Sequence, residues 1–320
     1  MEKLFASLIK KKISRKQFLK LCLAGIGTML FSGIFPKMAR GENARIAKKI
    51  VTDHDLVVAK GEDPHLMTVK AIEAIGGMEK FVKRGDKVVI KPNMAWDRSP
   101  EYAGNTNPMV VAALVELCFK AGAKRVNVFE RSCNDSKLCY KNSGVAAAAR
   151  DKGANVYFVD EWNYIKAHFS YKSPMEGWPI YRDALECDTF INVPILKDHG
   201  LTGLTLSMKN LMGVCGGDRA IIHDNIGVKL VDLTDFIKPD LTVIDAYRVL
   251  IRNGPRGGNL QDVEDYKTLI VGTDPTLVDT YAAELVGRDP LSVNYIQEAK
   301  NRGFGKFDTK KADILELSTM

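Results

Sequence analysis

The regular alternation of short β-branched runs with amphipathic stretches, from about residue 50 onward, most constrains the fold of this chain. The order begins with DKVVIKPN (strand), NPMVVAALVELCFKAGA (helix), KRVNVFE (strand), GVAAAARDKGA (helix) and NVYFVD (strand). Nearly continuous apolar strands separated by helices are typical of a buried parallel sheet. The sequence therefore predicts an α/β protein with a doubly wound, mostly parallel sheet, arranged as two Rossmann-like lobes with a cleft between them.

The second half of the chain continues this order and places polar residues after several strands. CDTFINVPIL, DLTVIDA and YKTLIVGT predict strands, and KLVDLTDFI and TLVDTYAAELVG predict helices. We expect a domain of residues 50–320 with its lobes divided near residues 185–195. The strand ends carry Lys91–Asn93, Glu130–Ser132, Lys197–His199, Asp245–Ala246 and Thr273–Asp274. Ligands of such folds bind at the carboxyl ends of strands, so these groups should converge on one cleft.

Residues 1–45 have the three-part order of an export signal or an N-terminal anchor. A cationic lead precedes the 15-residue apolar run of residues 21–35, which is short for a membrane span. SRKQFLK, residues 14–20, resembles the twin-arginine export motif, with Lys16 in place of the second arginine. The sequence thus predicts an exported protein, periplasmic or on the outer face of the cytoplasmic membrane, whose membrane contact is made only by this segment.

The net charge of +7 comes from the N-terminus. Residues 1–49 contain 12 Lys/Arg and 2 Asp/Glu, whereas the remainder contains 34 basic and 37 acidic residues. A folded body with a slight acidic excess lacks the cationic surface that nucleic-acid binding needs. We therefore expect no nucleic-acid partner.

The stretch NVPILKDHGLTGLTLSMKNLMG, Asn192–Gly213, concentrates chemically active side chains after an apolar run. Its two glycines allow the backbone to approach a ligand closely, and a helix starting near Thr205 would present free N–H groups to an anion. Lys197 and Lys209 add positive charge, and His199 can move a proton or bind a metal at neutral pH. Solvated lysines and a turn-capping histidine are the alternative interpretation.

These features define a set of candidate site residues. His199 and Lys209 are predicted to be catalytic, Lys91, Asn93, Lys197 and Asn210 to bind substrate, and His223 to bind a metal. The ligand that such groups suit is a small carboxylate or phosphate. His223 could instead lead into the helix that follows it.

The cysteines leave a redox alternative open. Five of the six follow the signal region, and no CxxC motif occurs. Cys133, Cys139, Cys187 and Cys215 are the candidate ligands of an iron–sulfur cluster, which would make the protein a redox protein. A non-catalytic periplasmic ligand-binding protein is the other alternative to an enzyme.

Four stretches of the chain resemble the domain of unknown function family 362 across residues 55–305. They are VVIKPNM, NTNP, FINVPILKDHGLTGLTLSMKNLMG and VGTDPTLVDTYAAELVG. Some members of that family look fused to ferredoxin-like iron–sulfur modules, which implies a redox role for them. This chain lacks such a module, so the resemblance implies a redox role only weakly here.

A fainter likeness is to the nickel-pincer lactate racemases. His199 and Lys209 have the ten-residue spacing found in those enzymes, with His223 further along the chain. The likeness implies that His199 is the acid or base, Lys209 the tether of the cofactor and His223 the metal ligand. The leading hypothesis is an exported enzyme, an isomerase or oxidoreductase, that acts on a small anionic molecule with a metal (nickel or zinc) or organometallic cofactor.

Overall fold

A computed structural model of the protein describes residues 43–46 and 48–319. These residues fall within one compact unit, Glu42–Met320. The twin-arginine-like motif and the apolar run lie outside the described residues. Among the helices that are described, none has the length and apolar character that crossing a bilayer requires.

Most of the strands are short. They are β1 (Leu56–Lys60), β2 (Lys87–Pro92), β3 (Arg125–Val128), β4 (Asn155–Val156), β5 (Tyr164–Lys166), β6 (Pro179–Tyr181), β7 (Thr189–Val193), β8 (Ile195–His199), β9 (Gly203–Thr205), β10 (Leu241–Leu250), β11 (Val263–Gly272) and β12 (Ile314–Ser318). Ten of them form one sheet, in which β12-β1-β11-β10-β7-β2-β3-β4 lie side by side and β8 and β9 extend from β10. Strands β5 and β6 form a separate antiparallel pair.

The sheet is mostly parallel, as predicted. Strands β10, β7, β2, β3 and β4 pair in parallel, and β1 pairs in parallel with β12. Strand β11 is antiparallel to both of its neighbours, β10 and β1. The α/β class with a large, mostly parallel sheet is therefore confirmed.

Helices cover both faces of the sheet. The described helices are α1 (Pro64–Ala74), α2 (Pro108–Lys120), α3 (Ser136–Asn142), α4 (Val145–Asp151), α5 (Arg182–Glu186), α6 (Ser207–Asn210), α7 (Ile226–Ile237), α8 (Pro275–Leu285) and α9 (Asn294–Asn301). One core joins α1, α2 and α4 to strand residues such as Val88 and Ile90. The other joins α7, α8 and α9 to residues such as Val89. Alternate strand side chains point to opposite faces, so both cores are apolar.

One sheet runs through the whole described domain, where the sequence predicted two lobes. Strand β7 lies at the predicted division, residues 185–195, and pairs with β2 on one side and β10 on the other. Because both halves of the chain contribute neighbouring strands to the same sheet, no boundary between lobes runs through this segment of the described residues.

At two positions, residues that the sequence predicted to follow a strand lie within a strand in the structure. CDTFINVPIL forms two strands, because Pro194 has no N–H for the ladder and interrupts it between β7 and β8. Lys197 and His199 consequently lie within β8 rather than after a strand. Strand β10 continues past Asp245 to Leu250, with a register shift after Ala246, so Asp245 is a buried residue in the middle of a strand.

Candidate functional site

A cavity of about 680 Å³ lies beyond the carboxyl ends of β2, β3 and β7. Five of the predicted site residues line it: Asn93, Lys197, His199, Lys209 and His223. The other two, Lys91 and Asn210, are buried beside them and bonded to Glu130 and Asn93 respectively. The structure thus brings the predicted residues together from distant stretches of the chain, at the place where ligands bind in such sheets.

Strand β8 delivers two of these side chains. Lys197 and His199 are two residues apart, so both face the cavity, whereas Asp198 between them faces the other way. Asp198 accepts a hydrogen bond from the N–H of Gly254 at 3.0 Å and lies 3.6 Å from the guanidinium of Arg288. The antiparallel pairing of β8 with β9 holds this register.

Lys197 is a buried ammonium without an acidic partner among the described residues. Its Nζ donates to the carbonyl of Gly104 at 2.5 Å and to Asn93 Oδ1 at 3.3 Å. Burial, together with the positive charges of Lys209 and Lys91, lowers the pKa of Lys197 to about 7. An anion entering the cavity would favour the charged form of this amine.

Lys91, in contrast, is paired within the protein. Its Nζ donates to Glu130 Oε2 at 2.5 Å and to Asn210 Oδ1 at 3.1 Å. Burial lowers the pKa of Lys91, and the charge of Glu130 opposes this shift. Position 213 accommodates the pair because it is glycine: a Cβ there would lie 1.9 Å from Glu130 Oε1. Lys91 therefore neutralises Glu130, which itself lines the cavity.

The side-chain amide of Asn210 connects the strand ends beneath the cavity. Its Oδ1 accepts from Lys91 and from Asn93 Nδ2, the latter at 3.1 Å. Its Nδ2 donates to Asn192 Oδ1 at 2.9 Å and to the carbonyl of Lys91 at 3.2 Å. These four hydrogen bonds use both donors of the Asn210 amide and its oxygen. Asn210 therefore fixes the orientation of Asn93, whose side chain lines the cavity.

The helix N-terminus that the sequence predicted to bind an anion already donates its hydrogen bonds to a side chain of the protein. Helix α6 begins at Ser207, and the N–H groups of Ser207 and Met208 donate to the carboxylate of Asp279 at 2.7 and 3.1 Å. Asp279 is fully buried on α8. The prediction that this helix start binds the ligand is therefore wrong, because a buried acid from a distant helix satisfies its free N–H groups.

Lys209, His223 and His199 form a cluster on one side of the cavity. Lys209 Nζ lies 3.4 Å from His223 Nε2 and 3.1 Å from Met212 Sδ. His223 Nδ1 lies 3.3 Å from the carbonyl of Ala220, which places its proton on Nδ1 and leaves the Nε2 lone pair toward Lys209. The rings of His199 and His223 stack with centroids 6.1 Å apart.

His199 has the opposite tautomer. Its Nδ1 accepts the backbone N–H of Leu201 at 3.2 Å, so a neutral ring has its hydrogen on Nε2. Burial, then the charge of Lys209, lowers the pKa of His199 to about 3 and also lowers that of His223. Burial and the charge of Arg219 lower the pKa of Lys209 to about 8. Both imidazoles are therefore neutral at neutral pH, and Lys209 is partly deprotonated slightly above it.

The lining also includes Glu130, Arg131, Cys133 and Arg219, which were not among the predicted catalytic, substrate-binding and metal-binding residues. Glu130 and Arg131 were expected at the cleft, because they follow strand β3 in the same way that Asn93 follows β2. Arg219 gave no such signal, since it lies in a turn far from any strand end.

The four cysteines proposed for an iron–sulfur cluster are not assembled in the structure. Among the described residues, no group of three or more His, Cys, Asp or Glu side chains is placed to hold a metal ion. Cys133 is exposed at the cavity, whereas Cys187 lies in the environment of Arg45 and Asp240. The iron–sulfur alternative is therefore wrong for these ligands, because the fold sends them to different places.

Comparison with known proteins identifies a family and one curated relative. The family model described as "Domain of unknown function (DUF362)" matches residues 88–284. This match includes β2 from its second residue onward, the Asn192–Gly213 stretch and Asp279, in agreement with the resemblance found in the sequence. A thylakoid-associated protein of Synechocystis is 27% identical over 230 residues, which cover 69% of this chain and 70% of the relative.

Two solved structures share a distant likeness. The lactate racemase apoprotein of Thermoanaerobacterium thermosaccharolyticum matches 68% of this chain with a TM-score of 0.43 and 11% identity. A Thermotoga maritima protein from a structural genomics programme matches 70% with a TM-score of 0.39 and 14% identity. The chain spans only 54% and 58% of their lengths. Likenesses this distant carry no argument about the chemistry of the site.

Proposed function

We propose, on the premise that the chain belongs to the DUF362 family, that it is an enzyme that binds a small organic anion and transfers a proton on it. The observation that carries the proposal is the cavity itself, in which Lys197, Lys209, His199 and His223 converge without a carboxylate partner among the described residues. Unpaired buried cations are costly, and an anionic ligand would compensate them. Buried groups with shifted pKa values in a cleft are typical of active sites.

The geometry supports a division of roles. Lys197 and Asn93 would hold the carboxylate or phosphate of the ligand. His199 would direct its Nε2 hydrogen to an oxygen on which negative charge develops, as a neutral imidazole can. Lys209, with a pKa of about 8 and the lone pair of His223 beside it, would accept or return the proton.

A metal or organometallic cofactor fits this site only if it brings most of its own ligands. His223 Nε2 is a suitable metal donor, and Lys209 Nζ beside it is a suitable point of attachment. Among the described residues, no three His, Cys, Asp or Glu side chains are placed together to hold a metal ion. A bound metal would contribute polarisation of a ligand oxygen as a Lewis acid.

Anion binding is expected to weaken as pH rises. Lys197 and Lys209 have pKa values of about 7 and 8 without ligand, and an anion favours their protonated forms. The affinity for 2-hydroxy and 2-keto carboxylates of three to five carbons should fall at least tenfold between pH 6 and pH 9. Titration calorimetry at pH 8 in Hepes and in Tris, which differ in ionisation enthalpy, should show net proton uptake on binding. Affinity that is independent of pH would contradict the role of the lysines.

Catalysis is tested by deuterium exchange in D₂O, followed by NMR at the carbon next to the carboxylate. His199→Gln should slow exchange at least 100-fold and change ligand affinity only a few-fold, since one hydrogen-bond donor to developing negative charge contributes about 10²–10³. The matched control is His54→Gln, because His54 pairs with Asp313 at the surface and does not line the cavity. Binding without any exchange in the native protein would favour a non-catalytic ligand-binding protein.

We further propose that the protein is exported and faces the periplasm or the outer side of the cytoplasmic membrane. The support is the twin-arginine-like sequence together with the burial of Arg45, whose guanidinium pairs with Asp240 and donates to the carbonyls of Asp188 and Lys238. Residue 45 thus belongs to the folded body, and a processed signal would end before it. Protease should digest the protein in spheroplasts but not in intact cells; protection in spheroplasts would contradict export.

A further inference from the structure

Four cations surround the cavity without an ion pair to any described Asp or Glu: Lys197, Lys209, Arg131 and Arg219. Two of the surrounding carboxylates are already engaged. Glu130 is neutralised by Lys91, and Asp218 caps the turn that follows it by accepting the N–H of Ala220 at 3.0 Å. Accepting an N–H does not neutralise a carboxylate, but the four cations outnumber Asp218, so the excess of positive charge is more than one further carboxylate would balance.

The two arginines are anchored by neighbouring backbone carbonyls. Arg131 Nη1 donates to the carbonyl of Gly217 at 2.9 Å, and Arg219 donates to the carbonyls of Arg131 and Ser132 at 2.7 and 3.0 Å. Neutral carbonyls anchor both guanidiniums without cancelling their charge. A guanidinium has five N–H donors, so each has donors left for a ligand.

The size and walls of the cavity point to an extended ligand. A volume of about 680 Å³ is within the range of about 300–1,000 Å³ that encloses drug-sized molecules, well above the need of a three-carbon acid. Its lining includes the apolar side chains of Trp96, Leu201, Met212 and Pro255. Such walls suit a hydrocarbon portion between charged ends.

We propose that the natural ligand is an organic molecule with two separate anionic groups, one held by Lys197 and Asn93 and the other by Arg131 and Arg219. The inference rests on the proposed function and specifies its substrate class. Each anionic group is a carboxylate or a phosphate, since both are recognised by the same donors.

Titration calorimetry with matched pairs tests this substrate class on the full chain. Glutarate and adipate are compared with their monomethyl esters, which have nearly the same size and one charge fewer. 4-Phosphonobutyrate, compared with glutarate, distinguishes phosphate from carboxylate at the second position. We expect each diacid to bind at least tenfold more tightly than its half-ester, and the advantage to shrink at high salt.

Variants locate the second anionic group. In Arg219→Gln, diacids should bind little more tightly than their half-esters, and the half-ester affinity should stay within about threefold of that of the native protein. Arg219→Lys should retain part of the tighter binding of diacids. Arg182→Gln, which removes an exposed arginine paired with Glu186, is the matched control and should change nothing. If Arg219→Gln fails to fold, as judged by circular dichroism, Arg131→Gln and Arg219→Lys decide the question.

The outcomes separate this inference from the proposed function. If half-esters bind as tightly as diacids, or if the arginine variants keep the full advantage, the two-anion ligand is wrong and the anion-binding enzyme stands. If neither diacids nor half-esters bind, both proposals fail.

Discussion

Substitution of Lys197 by methionine is expected to weaken anion binding at least tenfold and to change the pH dependence of stability. Between pH 7 and pH 9, the free energy of unfolding should shift by about 2 kcal/mol in favour of the native protein relative to Lys197→Met. Methionine has a similar length and no charge, so it fits the same space. Urea denaturation at the two pH values measures the shift.

The sign follows from the pKa of the lysine in the two states. In the unfolded chain it is 10.5, and burial lowers it to about 7 in the folded protein. Between these values the unfolded chain binds more protons than the folded protein, so stability rises with pH. Below pH 7 both states are protonated, and the folded state bears the full cost of a buried charge. Methionine has no such proton, so the variant lacks this rise.

Lys70→Met is the matched control for this prediction. Lys70 lies exposed on α1 and pairs with Glu73, so its replacement should leave the pH dependence unchanged. A native protein and a Lys197→Met variant whose stabilities change in parallel with pH would contradict the buried, shifted amine.

Substitution of Asp279 by alanine is expected to lower the free energy of unfolding by about 2–6 kcal/mol and to abolish anion binding. The change leaves the buried N–H groups of Ser207 and Met208 without an acceptor, at about 1–3 kcal/mol each. Helix α6, which carries Lys209 and Asn210, would lose its N-terminal anchor. Urea denaturation and calorimetry measure the two effects.

Two variants make the test of Asp279 specific. Asp279→Asn retains one carbonyl oxygen and should cost less than alanine. Asp308→Ala removes an exposed cap, which accepts the N–H of Lys310 at 3.1 Å, and should cost no more than about 1 kcal/mol. Normal anion affinity in a folded Asp279→Ala protein would contradict the view that this acid positions the site.

Much of the fold could be predicted because apolar periodicity reports directly on local structure. Helix α2 lies within the stretch NPMVVAALVELCFKAGA that predicted it, and the Asn107 side chain accepts the N–H of Met109. The errors arose where tertiary pairing decides. The sequence does not show that β7 pairs with both β2 and β10, and so it allowed two lobes where one sheet exists.

The sequence predicted which residues belong to the candidate site better than it predicted what each of them does there. Strand ends identified Asn93, and the unusual Asn192–Gly213 stretch identified Lys197, His199 and Lys209, because parallel strands bring such residues to one edge. Their partners could not be inferred. Glu130 neutralises Lys91 and not Lys197, which follows from the packing of side chains far apart in the chain.

The sequence by itself determined the family, the α/β class and the residues that meet at the cavity, since these depend on local pattern and strand order. Only the tertiary structure decided which charges stay unpaired and which helix end is free. Asp279 accepts hydrogen bonds from the helix start that was predicted to be open to a ligand, while Arg219 adds positive charge that no local sequence pattern predicted. The physical reason is that burial and pairing set the charge state of a side chain, and both are properties of its neighbours in space.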